Sequence, residues 1–288
     1  MSDSAPSAPV TPDDVPGWFF PVDQAAFAWF LSRQTDAGTT GDLLELGAYL
    51  GRSAILLGDH LQPGESFTVC DLFDSEAPDS ENSAEMAMSY RDSLTRRAFE
   101  ANYLAFHPQL PTVIQAPTSV LADGRIRTGS CRFVHVDASH LYEHVAGDIQ
   151  VARDALAKEG LVALDDYRSP HTPGVSAAVW EAVFDHGLKP VLLTPEKFYG
   201  TWGDADALTR VLLERDWRGE GFRMDEELIA GQVCHRLAKD PAPAPGPAPR
   251  SPAPQRSAAH RLALDVLPPF ATRATRRALR AARARRSH

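Results

Sequence analysis

Six short apolar runs recur along this chain, LLEL at 43–46, SFTVC at 66–70, PTVIQ at 111–115, CRFVHV at 131–136, LVALD at 161–165 and PVLLT at 190–194. Most are separated by spans that can hold a crossover helix. Runs of this length joined by crossovers suit a mostly parallel sheet covered on both faces, because each strand must be brought back to the same edge before the next begins. A seventh run, KFYGTW at 197–202, follows the sixth after two residues and is expected to return antiparallel to 189–194. The expected fold is α/β, a Rossmann-like doubly wound sheet of seven strands with an antiparallel last strand.

The first run leads into Glu45-Leu46-Gly47-Ala48-Tyr49-Leu50-Gly51-Arg52-Ser53, a strand entering a glycine turn that opens a helix. Gly47 permits a backbone geometry closed to other residues, Gly51 lets a ligand or the next helix approach, and the helix start offers unpaired N–H groups. The spacing is neither G-x-G-x-x-G nor a phosphate loop ending in G-K-[ST]. An acid before the glycines repels a pyrophosphate but tolerates a cationic, amino-acid-bearing ligand. A glycine turn alone is equally consistent with a purely structural junction. Asp71 ends the second run 26 residues beyond Glu45, near the spacing at which an acid accepts ribose hydroxyls in nucleotide-binding units. The plainer reading of Asp71 is a solvated strand end.

The chain has 288 residues, is 43% hydrophobic and carries a net charge of −9. That length buries a substantial core. From Arg250 onward there are ten arginines and one acid, so the body carries about −18 and the tail about +9. Such a body disfavours nucleic acid as a substrate. The cysteines, Cys70, Cys131 and Cys234, are too few and scattered for a disulfide framework or a thiolate zinc site, and read as buried thiols of a cytoplasmic protein. No apolar stretch long enough to span a membrane and no signal-peptide pattern is read.

Residues 1–16, rich in Pro, Ser, Ala and Asp, are expected to be disordered. Residues 17–240 are expected to form the main domain with an N-terminal helical cap, the segment 22–33 suiting a helix that packs its aromatics on the core or, as the less favoured reading, one that closes over a ligand. The acidic stretch 74–97 is long enough to act as a lid. Residues 204–218 read as a helix, and 227–237 as either helix or strand. A Pro/Ala-rich linker covers 241–256 and an Arg-rich tail 257–288.

The fourth and fifth runs end in acids, Asp137 and the pair Asp165-Asp166. In an open parallel sheet ligands bind beyond the carboxyl ends of the strands, so these acids would converge on the edge where the Gly47 turn lies. Three carboxylates in one crevice call for a cation, and oxygen ligands suit Mg²⁺ or Mn²⁺ better than zinc. His140, three residues after Asp137, can take a proton from a hydroxyl there. Its alternative role is to cap a helix or bond a carbonyl.

These residues together carry a resemblance. Glu45-Leu-Gly-x-x-x-Gly51-Arg-Ser53, Asp71, Asp137-x-x-His140-x-Tyr142-Glu143-x-Val145-x-x-Asp148 and Asp165-Asp166 are similar to class I S-adenosylmethionine-dependent methyltransferases, more narrowly to metal-assisted O-methyltransferases of the catechol and macrolide-sugar kinds. The likeness spans roughly residues 40–202. It implies that Glu45 and Gly47 lie against the methionine part of S-adenosylmethionine, Gly51 and Ser53 support the turn, Asp71 holds the ribose and Ser119 approaches the adenine. It also implies that Asp137, Asp165 and Asp166 ligate Mg²⁺ or Mn²⁺, with Asp137 bordering the cofactor, and that His140 is the general base. Asp166 stands where catechol-type relatives often carry Asn, and His140 where they commonly carry Lys.

The implied reaction is O-methylation of a hydroxylated small molecule, with Trp18, Phe19, Tyr167, Tyr199 and Trp202 available to a sugar, phenol or larger natural product. Two other classes compete: a nicotinamide-dependent oxidoreductase, which leaves Glu45 and the Asp pair unexplained, and a non-catalytic binding protein of the same fold. A homo-oligomer is compatible with the sequence. The basic tail suits nucleic acid or an anionic membrane, although a solvated extension is the favoured reading.

Overall fold

The computed structural model describes residues 8–77, 80 and 94–240. The acidic segment read as a lid falls largely outside the described residues, and the linker and basic tail fall wholly outside them.

Every apolar run forms a strand: β1 Asp42–Leu46, β2 Phe67–Asp71, β3 Thr112–Gln115, β4 Cys131–Val136, β5 Leu156–Leu164, β6 Lys189–Leu193 and β7 Phe198–Thr201. The strand order, β3-β2-β1-β4-β5-β7-β6, is parallel from β3 through β5, and β7 runs antiparallel between β5 and β6. The chain winds outward from β1 to β3, then returns to place β4 on the other side of β1. This reversal opens a crevice above the carboxyl ends of β1 and β4.

The sheet has nine strands rather than seven, because β8 Phe222–Ile229 and β9 Gln232–Lys239 form a hairpin joined to β6 through Leu193 and Arg236. Its two-residue loop, Ala230-Gly231, has φ of +49° and +83°. Positive φ at both positions matches the twist of a tight hairpin, which resolves the stretch 227–237 as strand.

Six helices are described: α1 Pro21–Asp36, α2 Arg52–Asp59, α3 Arg96–Leu104, α4 Tyr142–Ala155, α5 Pro173–Asp185 and α6 Ala205–Glu214. One face of the sheet buries Leu43, Phe133 and Leu161 against α1, α2 and α3, and the other buries Leu44, Val134 and Val162 against α4 and α5. Alternate residues of each strand therefore serve opposite cores. On α1, Phe27, Phe30 and Leu31 are buried, and the Phe27 ring meets Phe133 edge-on at 4.9 Å. The helix packs on the core, as its aromatics suggest.

Order begins earlier than expected. Pro12–Asp14 form a short 3₁₀ turn and Val15 is buried. Asp14 accepts hydrogen bonds from the Val10 and Thr11 amides at 3.0 and 2.8 Å. Arg52 pairs with Asp13 and donates to the Gly17 carbonyl at 3.0 Å. A capping acid and one arginine clamp outweigh the Pro/Ser composition here. At the amino edge of the sheet, buried Arg132 donates to Glu65 at 2.9 Å, Gln34 at 3.0 Å and the His60 carbonyl at 2.6 Å. The three cysteines are free and buried, and burial pushes Cys70 up to about 12 and Cys131 to about 11.

Candidate active site at the carboxyl edge

A cleft of about 720 Å³ lies over the carboxyl ends of β1, β2, β4 and β5. Gly47, Ser53, Asp71, Ser119, Asp137, His140, Asp165 and Asp166 all line it. Sequence reasoning thus brought together eight residues that lie as much as 119 positions apart. Glu45 and Gly51 are not among the lining residues.

Gly47 has φ of +81°. A β-carbon there would lie 2.1 Å from the Asp137 carbonyl oxygen and 2.5 Å from the Ala138 Cα, so this glycine is needed for the β1 turn to pass beneath the loop leaving β4. Gly51, at φ +95°, has Phe99 of α3 as its close neighbour, 3.0 Å from where a β-carbon would stand. Its smallness serves helix packing rather than a ligand. Between them, the Ala48 and Tyr49 amides donate to Asp71 Oδ2 at 2.7 and 3.0 Å, while Oδ1 accepts from the Phe73 amide at 2.6 Å. Asp71 therefore braces the glycine turn and keeps acceptor capacity at Oδ1 for a ligand hydroxyl. Burial raises its carboxyl above the usual range despite these bonds.

Glu45 departs from expectation. Its side chain is fully buried on the α1 side of the sheet, where Oε1 accepts from Ser53 Oγ at 2.5 Å and pairs with His135 Nδ1 at 2.8 Å. Strand register explains this. Glu45 and His135 are partners across the β1–β4 ladder and share a face. Glu45 is not among the residues that line the cleft, and burial pushes its carboxyl up to about 8. The same bond turns the Ser53 hydroxyl toward Glu45.

At the other strand ends the acids separate into two arrangements. The Lys197 ammonium, at the entry to β7, pairs with Asp165 Oδ2 and lies 3.1 Å from His135 Nε2. It also sits 5.6 Å from the Phe19 ring centre and 6.0 Å from that of Phe27. The contacts fix the His135 tautomer: Nδ1–H donates to Glu45 and Nε2 accepts from Lys197. Burial, then the Lys197 charge, depresses the His135 pKa well below its ordinary value. Burial would lower the Lys197 pKa, but Asp165, Asp137 and Asp23 together raise it. Sequence reasoning passed over both residues, reading Lys197 only as the start of a strand.

The second arrangement faces the cleft. His140 Nε2 lies 3.0 Å from Asp166 Oδ2, and Ser169 Oγ donates to Asp166 Oδ1. Burial would raise the Asp166 carboxyl, but hydrogen bonds from His140 and Ser169 outweigh it and hold the group below the usual range. Asp166 has φ of +57°, a conformation that Asp tolerates better than most residues. Asp137 is exposed on the cleft beside both arrangements, and the crowding of protein atoms around its carboxyl, followed by the Asp165 charge, raises it above the usual range.

Among the described residues two groups bring possible metal-ligand atoms within 4.8 Å of one another: His135, Asp137 and Asp165, and Asp137, His140 and Asp166. The expected trio of Asp137, Asp165 and Asp166 is not one of them. In the first group His135 is engaged at both ring nitrogens, while Asp165 takes Lys197 on one oxygen and the Asp166 amide on the other at 2.8 Å. In the second, a metal on Asp166 Oδ2 would displace the bond that orients His140. The donor set as arranged does not fit Mg²⁺ or Mn²⁺ in the manner the resemblance implies.

Asp148 borders the far end of the cleft with Thr118 and Ser119. Its buried Oδ2 has no hydrogen-bond partner, and burial pushes its carboxyl up to about 7. Trp18 and Phe19 line the cleft. Tyr167 and Tyr199 are instead core residues, and Trp202 donates to the His186 carbonyl away from it, so these three drop out as acceptor contacts.

Residues 44–167 match the family model described as a methyltransferase domain. No curated protein sequence matches the chain. Among solved structures, the O-methyltransferase NovP is 19% identical with a TM-score of 0.50, the likeness covering 64% of this chain and 80% of NovP. The TDP-rhamnose 3′-O-methyltransferase CalS11, of calicheamicin biosynthesis, is 18% identical with a TM-score of 0.42, covering 65% and 82%. At these identities the structural likeness to NovP bears on fold alone. Residues 44–167 thus match a methyltransferase domain, and they lie in a Rossmann-like α/β sheet whose antiparallel β7 and glycine turn braced by an acid on β2 agree with that match.

Proposed function

We propose that this enzyme methylates a hydroxyl oxygen of a small acceptor, with His140 as the base. The observation that carries the reading is the His140–Asp166 pair at 3.0 Å, held on the cleft beside Asp137. An imidazole paired through Nε2 with a carboxylate gains stabilisation as it takes up a proton and becomes cationic. The Asp166 carboxylate, held ionised by its hydrogen bonds, supplies that stabilisation.

The methyl donor carries its own leaving group, so the protein's tasks are alignment and proton removal. As the acceptor oxygen forms its bond to the methyl carbon, the carbon–sulfur bond breaks and the hydroxyl proton passes to His140. The products are S-adenosylhomocysteine and a methyl ether. The turn from Gly47 to Tyr49 and Asp71 Oδ1 would hold the amino-acid and ribose portions, with the adenine toward Thr118 and Ser119. Trp18 is 63% exposed and its ring lies 5.5 Å from that of Tyr49 at the cleft mouth. That aromatic face suits the flat side of a sugar or phenol ring.

The test is His140→Ala. It should lower turnover about 10²- to 10⁴-fold, the range of general-base catalysis, while calorimetry shows unchanged affinity for S-adenosylhomocysteine. Turnover at the unaltered rate would remove His140 from the chemistry, and failure to bind S-adenosylhomocysteine would remove the whole reading.

A further inference from the structure

The acids at the strand ends create a charge problem whose solution lies within the chain. Asp137, Asp165 and Asp166 sit on one edge, with Asp23 buried close behind them. Asp23 Oδ1 is held by Thr194 Oγ1 at 2.7 Å and Tyr199 Oη at 2.8 Å, and its Oδ2 has no hydrogen-bond partner. Asp165 and Asp23 are buried, Asp166 is half-buried and Asp137 is open to the cleft, and uncompensated buried carboxylates are strongly unfavourable, so the buried members must be paired, protonated or metallated. Lys197 is almost wholly buried and touches both Asp165 and His135. Its ammonium also lies over the Phe19 and Phe27 rings, 5.6 and 6.0 Å from their centres, at the wall of the cleft.

We propose that the Lys197 ammonium is the resident cation of this site, standing at Asp165 in the place the three strand-end acids would otherwise give to a divalent metal, and that methyl transfer here proceeds without one. The proposal rests on the methyltransferase reading, which locates the reaction at this edge. Lys197 touches neither donor nor acceptor in this account. It positions Asp165 and, through its charge, Asp137, and leaves Asp166 to orient His140. A divalent ion would compete twice, with Lys197 for Asp165 and with His140 for Asp166.

The experiment is a Mn²⁺ titration of the EDTA-dialysed full chain with S-adenosylhomocysteine bound, read by calorimetry and by the spin resonance of free Mn²⁺. No binding tighter than about 1 mM is expected at this site. Binding that is tighter than this and weakened tenfold or more by Asp137→Asn, Asp165→Asn or Asp166→Asn would overturn the proposal. Binding that none of these changes alters lies elsewhere and supports it. Lys197→Met should gain Mn²⁺ affinity by at least about tenfold and melt at a higher temperature when Mn²⁺ is added, a response that loss of packing alone would not produce. A folded Lys197→Met that gains no Mn²⁺ affinity would also overturn the proposal. Should that variant not fold, the wild-type titration still decides. Loss of S-adenosylhomocysteine binding in the wild type would instead strike the methyltransferase reading, so the two failures are distinguishable.

Discussion

Asp166 and Glu45 show how one backbone position decides what an acid does. Asp166, placed by a left-handed residue just past β5, turns its carboxylate to His140 and Ser169. Replacing it with Asn keeps the shape but lets the side-chain amide present a donor to the imidazole. Asp166→Asn should therefore reduce turnover by about 10² or more with little change in S-adenosylhomocysteine affinity, as single-turnover kinetics and calorimetry would show. Glu45 was legible as an acid before a glycine turn, and its neighbours were not. Its partner His135 lies 90 residues away, and only the parallel register of β1 with β4 reveals that the two share a buried face. Lys197 was illegible for a related reason. A lone lysine after Pro195 and Glu196 carries no signature until β7 is slotted beside β5.

At the scale of elements, the sheet edge depends on close passage of one turn beneath another. Gly47→Ala would drive a methyl group into the Asp137 carbonyl at a backbone angle unfavourable to Ala. We expect a loss of roughly 2–4 kcal/mol by denaturant unfolding, with cofactor affinity falling because the Asp137 loop must shift. The opposite edge is secured by Arg132. Glu65→Ala should cost about 3–5 kcal/mol by leaving that guanidinium buried without its carboxylate, again measured by unfolding, without altering the cleft. The apolar runs made all seven core strands readable because their pattern is local. The β8–β9 hairpin was half-legible, since its polar, partly exposed residues mimic either state and only the Ala230-Gly231 turn decides between them.

Across the whole molecule, buried carboxyls set how stability varies with pH. Glu45 is raised to about 8, Asp148 to about 7 and Asp23 to about 6. Each folded-state value exceeds the unfolded one, so through these three groups the folded protein holds protons that the unfolded chain releases and stability falls as pH rises from about 4 towards 8, opposed below about 6.5 by the buried neutral His135. The limiting slope is roughly 1.4 kcal/mol per pH unit for each group. Urea midpoints measured from pH 5 to pH 8 should decline, and Glu45→Gln should flatten the upper part of that decline. The antiparallel course of β7 has a consequence in time. Parallel strands deliver their last residues to the active edge, whereas β7 delivers its entry, and Lys197 leaves the ribosome 32 residues after its partner Asp165. A nascent chain that has emerged only through α5 already carries the glycine turn, Asp71 and all three strand-end acids but lacks their cation. The stretch made after α5 therefore completes the charge balance of a site that the chain up to α5 has already outlined, and a chain stalled in between would expose an uncompensated acidic edge to quality control.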